Sequence, residues 1–124
     1  KNTWVDIRTC IVTDTSFRDA SVDWQTTKQQ IVKNIPATGI TITQGFLAAE
    51  ATNNFTTTLG REGSDYTAAI LAYCLNAASV TIWKDVPGVL NADPRYFKTT
   101  TLLDHISYRE AIELAFYGAS VIHP

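Results

Sequence analysis

One stretch concentrates side chains that can handle an anion: Thr56-Thr57-Thr58-Leu59-Gly60-Arg61-Glu62-Gly63-Ser64-Asp65-Tyr66-Thr67-Ala68-Ala69. A glycine-punctuated turn runs straight into an apolar helical pattern. The start of a helix carries unpaired N–H groups and the positive end of the dipole, which suits a negatively charged group. Arg61 can fork onto a carboxylate or a phosphate, and Asp65 can hold a cation or a lysine. The plainer readings are a solvated arginine, a helix-capping carboxylate at Asp65 and a turn glycine at Gly63. A second polar segment follows, Ile82-Trp83-Lys84-Asp85-Val86-Pro87-Gly88-Val89-Leu90-Asn91-Ala92-Asp93-Pro94-Arg95. Its Asp93-Pro94 step also reads as ordinary turn chemistry.

The elements that position these groups follow from periodicity. Val5, Ile7, Thr9 and Ile11 alternate with Asp6, Arg8 and Cys10, a strand pattern. Residues 13–21 are polar and read as a loop. Asp23 suits the N-cap of a helix ending near Asn34, with Trp24, Ile31, Val32 and Ile35 on one face and Pro36 closing it. Residues 40–47 are β-branched and apolar, which predicts a buried strand. Residues 51–54 read as a hairpin tip before a short returning strand over 55–59. The helix predicted over 64–75 is apolar nearly all round and should be buried on both faces. Residues 80–83 read as a short strand delivering Asp85 to a strand end, where α/β sheets bind ligands. Val86-Pro87-Gly88-Val89 fits a type II turn. Ser107-Tyr108-Arg109-Glu110 is a capping box opening a helix through Ala111, Ile112, Leu114 and Ala115, with Gly118 at its C′ position. Alternating strands and helices predict a layered α/β sheet, mainly parallel, with one hairpin excursion.

Composition narrows the function classes. The chain has 124 residues, 45% hydrophobic and 18% charged, as expected of one folded domain with a modest core. A net charge of −2 gives no electrostatic reason to expect nucleic acid as a partner. No apolar run is long enough for a membrane span and no signal-peptide pattern opens the chain, so no membrane partner and a cytoplasmic location are expected. Cys10 and Cys74 read as buried thiols in a reducing compartment. With no Cys/His cluster, a metal site of the protein's own is not expected. No internal repeat, low-complexity stretch or second domain boundary is visible.

The motifs together resemble the aspartokinases of the amino-acid kinase family. Residues 57–69 are similar to the family's TTLGRGGSDYTAA signature and residues 83–95 to WTDVPGIYTTDPR. Residues 116–124 are similar to FGAKVLHP, and Gln44-Gly45-Phe46 to a strand-end QGF. The resemblance implies a three-layer α/β/α sandwich with a mainly parallel sheet, the carbamate kinase-like fold. Nothing like the family's lysine-bearing KFGGTS phosphate loop occurs. The resemblance thus implies a partial domain, residues 1–124 forming the C-terminal, nucleotide-binding part of the kinase domain without its lysine loop or regulatory domains. It implies transfer of the γ-phosphate of ATP, with Mg2+ carried by the nucleotide, to the side-chain carboxylate of L-aspartate. The isolated piece is expected to be inactive, the parent enzyme homo-oligomeric, and the piece itself prone to self-association through faces left uncovered.

Residue by residue, the resemblance implies that Arg61 grips the substrate α-carboxylate and that Asp65 orients catalytic lysines around the transferring phosphoryl. Phe46, Gly63 and Ser64 would contact substrate. Lys84, Asp85, Asp93, Arg95 and Ser120 fall on the nucleotide side. Tyr96 and Phe97 read as packing residues, His105 as a surface or loop histidine and His123 as a maker of a structural hydrogen bond. Four positions depart from the signatures: Glu62 replaces a glycine, Lys84 a threonine or serine, Leu90 an aromatic and Ser120 a lysine. One lysine is gained and one lost, so Lys84 can supply the charge missing at Ser120, or it is simply solvated. Two other readings remain at this level: another amino-acid kinase, such as a glutamate 5-kinase, and a non-catalytic nucleotide-binding module.

Overall fold

Asp23 opens the first long helix as its sequence demands: its carboxylate accepts the backbone N–H of Thr26 at 3.1 Å, and α1 spans Trp24–Asn34. This computed structural model describes residues 2–119, so Ser120, His123 and the end of the third signature lie outside the described residues. The chain divides into two compact units, one ending at Thr81 and the other starting at Ile82.

In the first unit, β1 (Asn2–Trp4) pairs in parallel with β3 (Ile40–Ile42). In a second sheet, β2 (Val12–Thr13) pairs in parallel with β4 (Leu47–Glu50), which turns back antiparallel onto β5 (Thr56–Thr58). The result is a mixed α/β arrangement in which parallel pairing predominates, with the expected hairpin at residues 51–55. Helix α2 (Gly63–Leu75) packs on α1 and β4. Ile7, Ile11, Ile31 and Ile70, each fully buried, form the core with Val5, Cys10, Ala48, Leu59 and Cys74. Complete burial of such a side chain contributes roughly 1.5–3 kcal/mol. Both cysteines are buried free thiols, and burial pushes both pKa values up.

Buried polar groups lock the elements together. The Thr27 hydroxyl accepts the N–H of Val12 at 3.0 Å and donates to its carbonyl at 3.2 Å, which joins α1 to β2. Glu50 is only 1% exposed, and its carboxylate accepts the N–H groups of Thr52 (2.6 Å), Asn53 (2.5 Å) and Phe55 (3.4 Å) at the hairpin tip. These bonds to the charged form hold its pKa below the usual carboxylate value.

Several expectations are corrected by the structure. The alternating run from Val5 to Ile11 is not one strand: Ile7–Thr9 forms a 3-10 helix between β1 and β2. Asp6 causes the break, because its side chain accepts the N–H of Arg8 and diverts the backbone from a ladder. The buried strand predicted over 40–47 is neither continuous nor buried: β3 ends at Ile42, β4 begins at Leu47 after a turn closed by Phe46 at φ 73°, and Ile40 (63%) and Ile42 (50%) are exposed. Helix α2 is buried only along Gly63, Thr67, Ile70 and Cys74, while Tyr73 is 67% exposed and meets the edge of α1, its ring 5.4 Å from that of Trp24. Residues 80–83 form no strand, since none of the described strands pairs with them and an unpaired strand leaves its backbone groups unsatisfied.

The second unit is held by shorter-range bonds. Leu90 and Leu102 form an isolated antiparallel bridge, flanked by the N–H of Asn91 donating to Thr101 and that of Leu103 donating to Val89. Gly88 has a positive φ, 135°, but residues 86–89 bend without closing the hydrogen-bonded type II turn expected from the sequence, whose glycine would sit at about +80°. Helix α3 (Tyr108–Phe116) opens on the complete Ser107/Glu110 capping box and ends at Gly118, φ 102°. Tyr96 (80% exposed) and Phe97 (58%) do not pack inward.

Candidate active site

The segment expected to bind an anion lies where two chain segments meet at the start of α2. The first is the turn between β3 and β4, residues 43–46. The second is the turn after β5, residues 59–62. Gly60 takes φ +77° and Glu62, the N-cap residue of α2, takes φ 55°. The glycine that the family signature carries at position 62 would adopt this left-handed conformation without steric penalty. The Glu62 side chain makes no capping hydrogen bond to the helix, and the backbone closes the first turn instead: the N–H of Gly63 donates to Gly60, and those of Asp65 and Tyr66 donate to Glu62. Arg61 is exposed on this turn, Ser64 is exposed in the first helical turn, and Asp65 is half-buried one residue on, with its Oδ2 screened from solvent. The N-cap is Glu62 and not Asp65, which as a first-turn carboxylate instead complements the positive end of the helix dipole.

Close approach joins the two segments. A Cβ on Gly63 would stand 2.8 Å from Cδ2 of Phe46, and one on Gly45 would stand 3.1 Å from the Cα, Cβ and Oγ of Ser64. A side chain at Gly63 would displace the Phe46 ring, and one at Gly45 would press on Ser64, beyond any turn requirement. Phe46 is held at both backbone ends: its N–H donates to the Thr67 hydroxyl at 2.9 Å, and its carbonyl accepts the N–H of Leu59 at 2.9 Å. The same Thr67 hydroxyl donates to the Gly63 carbonyl at 2.8 Å.

Behind Phe46, the strand-end glutamine is clamped. Gln44 donates to Asp6 at 2.5 Å and accepts the N–H of Ile7 at 3.2 Å, while Asp6 also accepts two bonds from the Arg8 Nε and forms an ion pair with its Nη2. The Arg8 guanidinium, with Gln44, holds the Asp6 carboxyl down to about 2. Sequence reasoning missed Asp6 and Thr67. Thr67 carried a signal: it is the polar member of a buried stripe otherwise composed of Gly63, Ile70 and Cys74, spaced as one helix face.

The second unit holds the remaining described candidates. Lys84 is half-buried and Asp85 exposed, both outside regular structure. Asp93 accepts the backbone N–H of Arg95 at 2.8 Å and its guanidinium at 2.7–3.1 Å, which lowers the pKa of Asp93. Arg95 also lies 5.9 Å over the Tyr96 ring. The structure thus brings together Phe46, Gly63 and Ser64, with Arg61 and Asp65 on the same turn and helix start. Separately, it pairs Asp93 with Arg95. Among the described residues, no three His, Cys, Asp or Glu side chains converge as a metal cage, and no helix is long and apolar enough to cross a membrane.

The chain is 42% identical to the lysine-sensitive aspartokinase 3 of Escherichia coli (strain K12), across 98% of its own length and 27% of that protein. It is 40% identical to a bifunctional aspartokinase/homoserine dehydrogenase of Buchnera aphidicola, covering 95% of this chain and 14% of the relative. The crystal structure of E. coli aspartokinase III in complex with aspartate and ADP matches the whole chain with a TM-score of 0.93 at 41% identity, over 28% of that protein. The lysine- and aspartate-bound form of the same enzyme matches at a TM-score of 0.80 and 39% identity, again over the whole chain and 28% of that protein. The chain therefore spans about a quarter of the E. coli aspartokinase. The model of the amino acid kinase family matches residues 3–124, and the chain belongs to that family.

Proposed function

We propose that this chain is the C-terminal, nucleotide-binding part of an aspartate kinase domain. In that reading one oxygen of the L-aspartate side-chain carboxylate attacks the γ-phosphorus of MgATP. The bond to the bridging oxygen breaks, giving ADP and 4-phospho-L-aspartate. Such transfers depend on in-line placement and charge stabilisation more than on covalent help. The observation that carries the reading is the joining of the Phe46 turn to the helix start that bears Ser64, two segments whose sequences both match the family's substrate-side motifs, with Arg61 exposed on the adjoining turn. The aspartokinase solved with aspartate and ADP, which the chain matches over its whole length, supports it.

Arg61 grips the α-carboxylate, Gly63 and Ser64 approach the substrate, and Asp65 orients cationic groups around the phosphoryl. Lys84, Asp85, Asp93, Arg95 and Ser120 serve the nucleotide. The magnesium ion neutralises phosphate charge; ions of this kind are held largely by phosphates and water with one or two carboxylates, a role that the exposed Asp85 fits. Lys84 replaces the charge absent at Ser120. The parent enzyme acts as a cytoplasmic homo-oligomer in lysine, threonine and methionine biosynthesis. Exposed Trp4 (63%) and Ile40 (63%) on the β1–β3 sheet support self-association of the 124-residue chain.

The test is turnover by the protein expressed from the complete gene, with the acyl phosphate trapped by hydroxylamine. Aspartate is expected to be phosphorylated and glutamate not. Turnover of glutamate alone, or of neither, overturns the reading. In the same enzyme, Lys84→Ala is expected to raise the ATP KM or depress kcat by about tenfold or more. Unchanged kinetics would leave Lys84 a solvated side chain.

A further inference from the structure

We infer that Thr67 is a positioning residue for the acceptor substrate, its hydroxyl setting the spacing between the Phe46 turn and the start of α2. The inference rests on the aspartate kinase reading above and concerns a residue that touches neither substrate nor nucleotide in it. Thr67 is 3% exposed and lies one turn into α2, on the face turned to the core. A threonine there would ordinarily return its hydroxyl to the carbonyl one turn back, and Thr67 does so at Gly63 (2.8 Å). What is not ordinary is the second bond: the same oxygen accepts the N–H of Phe46, 21 residues away in sequence, at 2.9 Å.

The strain at Phe46 gives that second bond a purpose. A non-glycine residue at φ 73° is held against its preference, and such residues persist only where neighbours over-determine them. Here the neighbours are Thr67 at the N–H and Leu59 at the carbonyl. The Phe46 ring packs where a Cβ on Gly63 would stand, so a shift of the Phe46 backbone would move the ring against the helix start that bears Ser64 and Asp65. One hydroxyl therefore couples the Phe46 turn to the start of α2. Without it, the Phe46 N–H loses its partner and the backbone can relax toward φ below zero, misplacing the ring and opening the Gly45–Ser64 approach.

The test compares Thr67→Val, which keeps the shape and removes the hydroxyl, with Thr67→Ser, which keeps the hydroxyl. Both are made in the enzyme from the complete gene, whose wild-type turnover of aspartate is measured first. Absence of that turnover would defeat the functional reading, and with it the premise of this inference. With wild-type activity in hand, Thr67→Val is expected to raise the aspartate KM roughly tenfold while the MgATP KM stays within about twofold, and Thr67→Ser to restore aspartate binding. An unchanged aspartate KM in Thr67→Val, an equal rise in both KM values, or a serine variant as impaired as the valine one overturns the inference. Amide hydrogen exchange decides independently of whether Thr67→Val folds. The Phe46 N–H should be protected in wild type and in Thr67→Ser, and rapid exchange of that amide in wild type overturns the inference as well.

Discussion

The two motif-bearing regions are held in opposite ways. Around the start of α2, the groups that matter are fixed by partners far away in sequence: Phe46 by Thr67 and Leu59, Gln44 by Asp6 and Ile7. They rest on a core of fully buried isoleucines. In residues 82–119 no residue is buried, and the charged groups bond to near neighbours, Arg95 to Asp93 and Glu110 to Ser107. A site built by tertiary contact inherits the rigidity of the core. A segment built from local bonds keeps its shape without a core and contributes little to the stability of the rest.

The largest expected effect tests that contrast directly. Ile70→Ala should cost about 2–5 kcal/mol in urea unfolding, because it empties a fully enclosed site. Ile112→Ala, on the 60% exposed face of α3, should stay within about 0.5 kcal/mol. Equal losses would mean that the second unit has a core of its own.

A smaller effect is expected at the clamp behind Phe46. The Asp6 carboxyl titrates at about 2 when folded, below the usual carboxylate value. Its stabilisation is therefore complete above roughly pH 4 and is lost as the pH falls toward the folded value. Asp6→Asn should lower stability at neutral pH by about 1 kcal/mol, allowing for its partial exposure to solvent. It should also flatten the decline between those two pH values. An acid limb identical to wild type would remove Asp6 from the account.

An effect of similar size separates backbone strain from side-chain chemistry at Glu62. With φ 55° at that position, Glu62→Gly should change stability by less than about 1 kcal/mol, whereas Glu62→Val should cost about 1–2 kcal/mol. If thermal unfolding ranks valine as well tolerated as glycine, the left-handed conformation is not what the position demands.

The same contrast explains what could be read from sequence. Local signals were legible: Asp23 and Pro36 bounding α1, the hairpin between β4 and β5, the capping box at Ser107 and the glycine after α3. The turn that opens α2 was legible because its glycines and polar residues are adjacent in the chain. What could not be read depends on distant partners or on side chains that redirect the backbone. Asp6 converts an alternating run into a 3-10 helix, and Phe46 breaks an apolar run because Thr67 and Leu59 hold it at positive φ. Residues 80–83 look like a strand by composition, yet a strand exists only with a neighbour. Thr67 shows the difficulty at its sharpest, since its sequence neighbours explain its helix and only a residue 21 positions away explains its hydroxyl.

The carboxylate of Glu50 has one more consequence. The Ala51-Thr52-Asn53-Asn54 tip is exposed, small and polar, the kind of loop usually chosen for grafting a peptide, opening new termini or admitting a protease. Yet three of the backbone N–H groups around that tip, from Thr52 to Phe55, point back at a single enclosed acid. Lengthening or cutting the loop would strip a buried charge of its donors, so this tip behaves as a part of fixed length, and engineering at the surface would be felt inside.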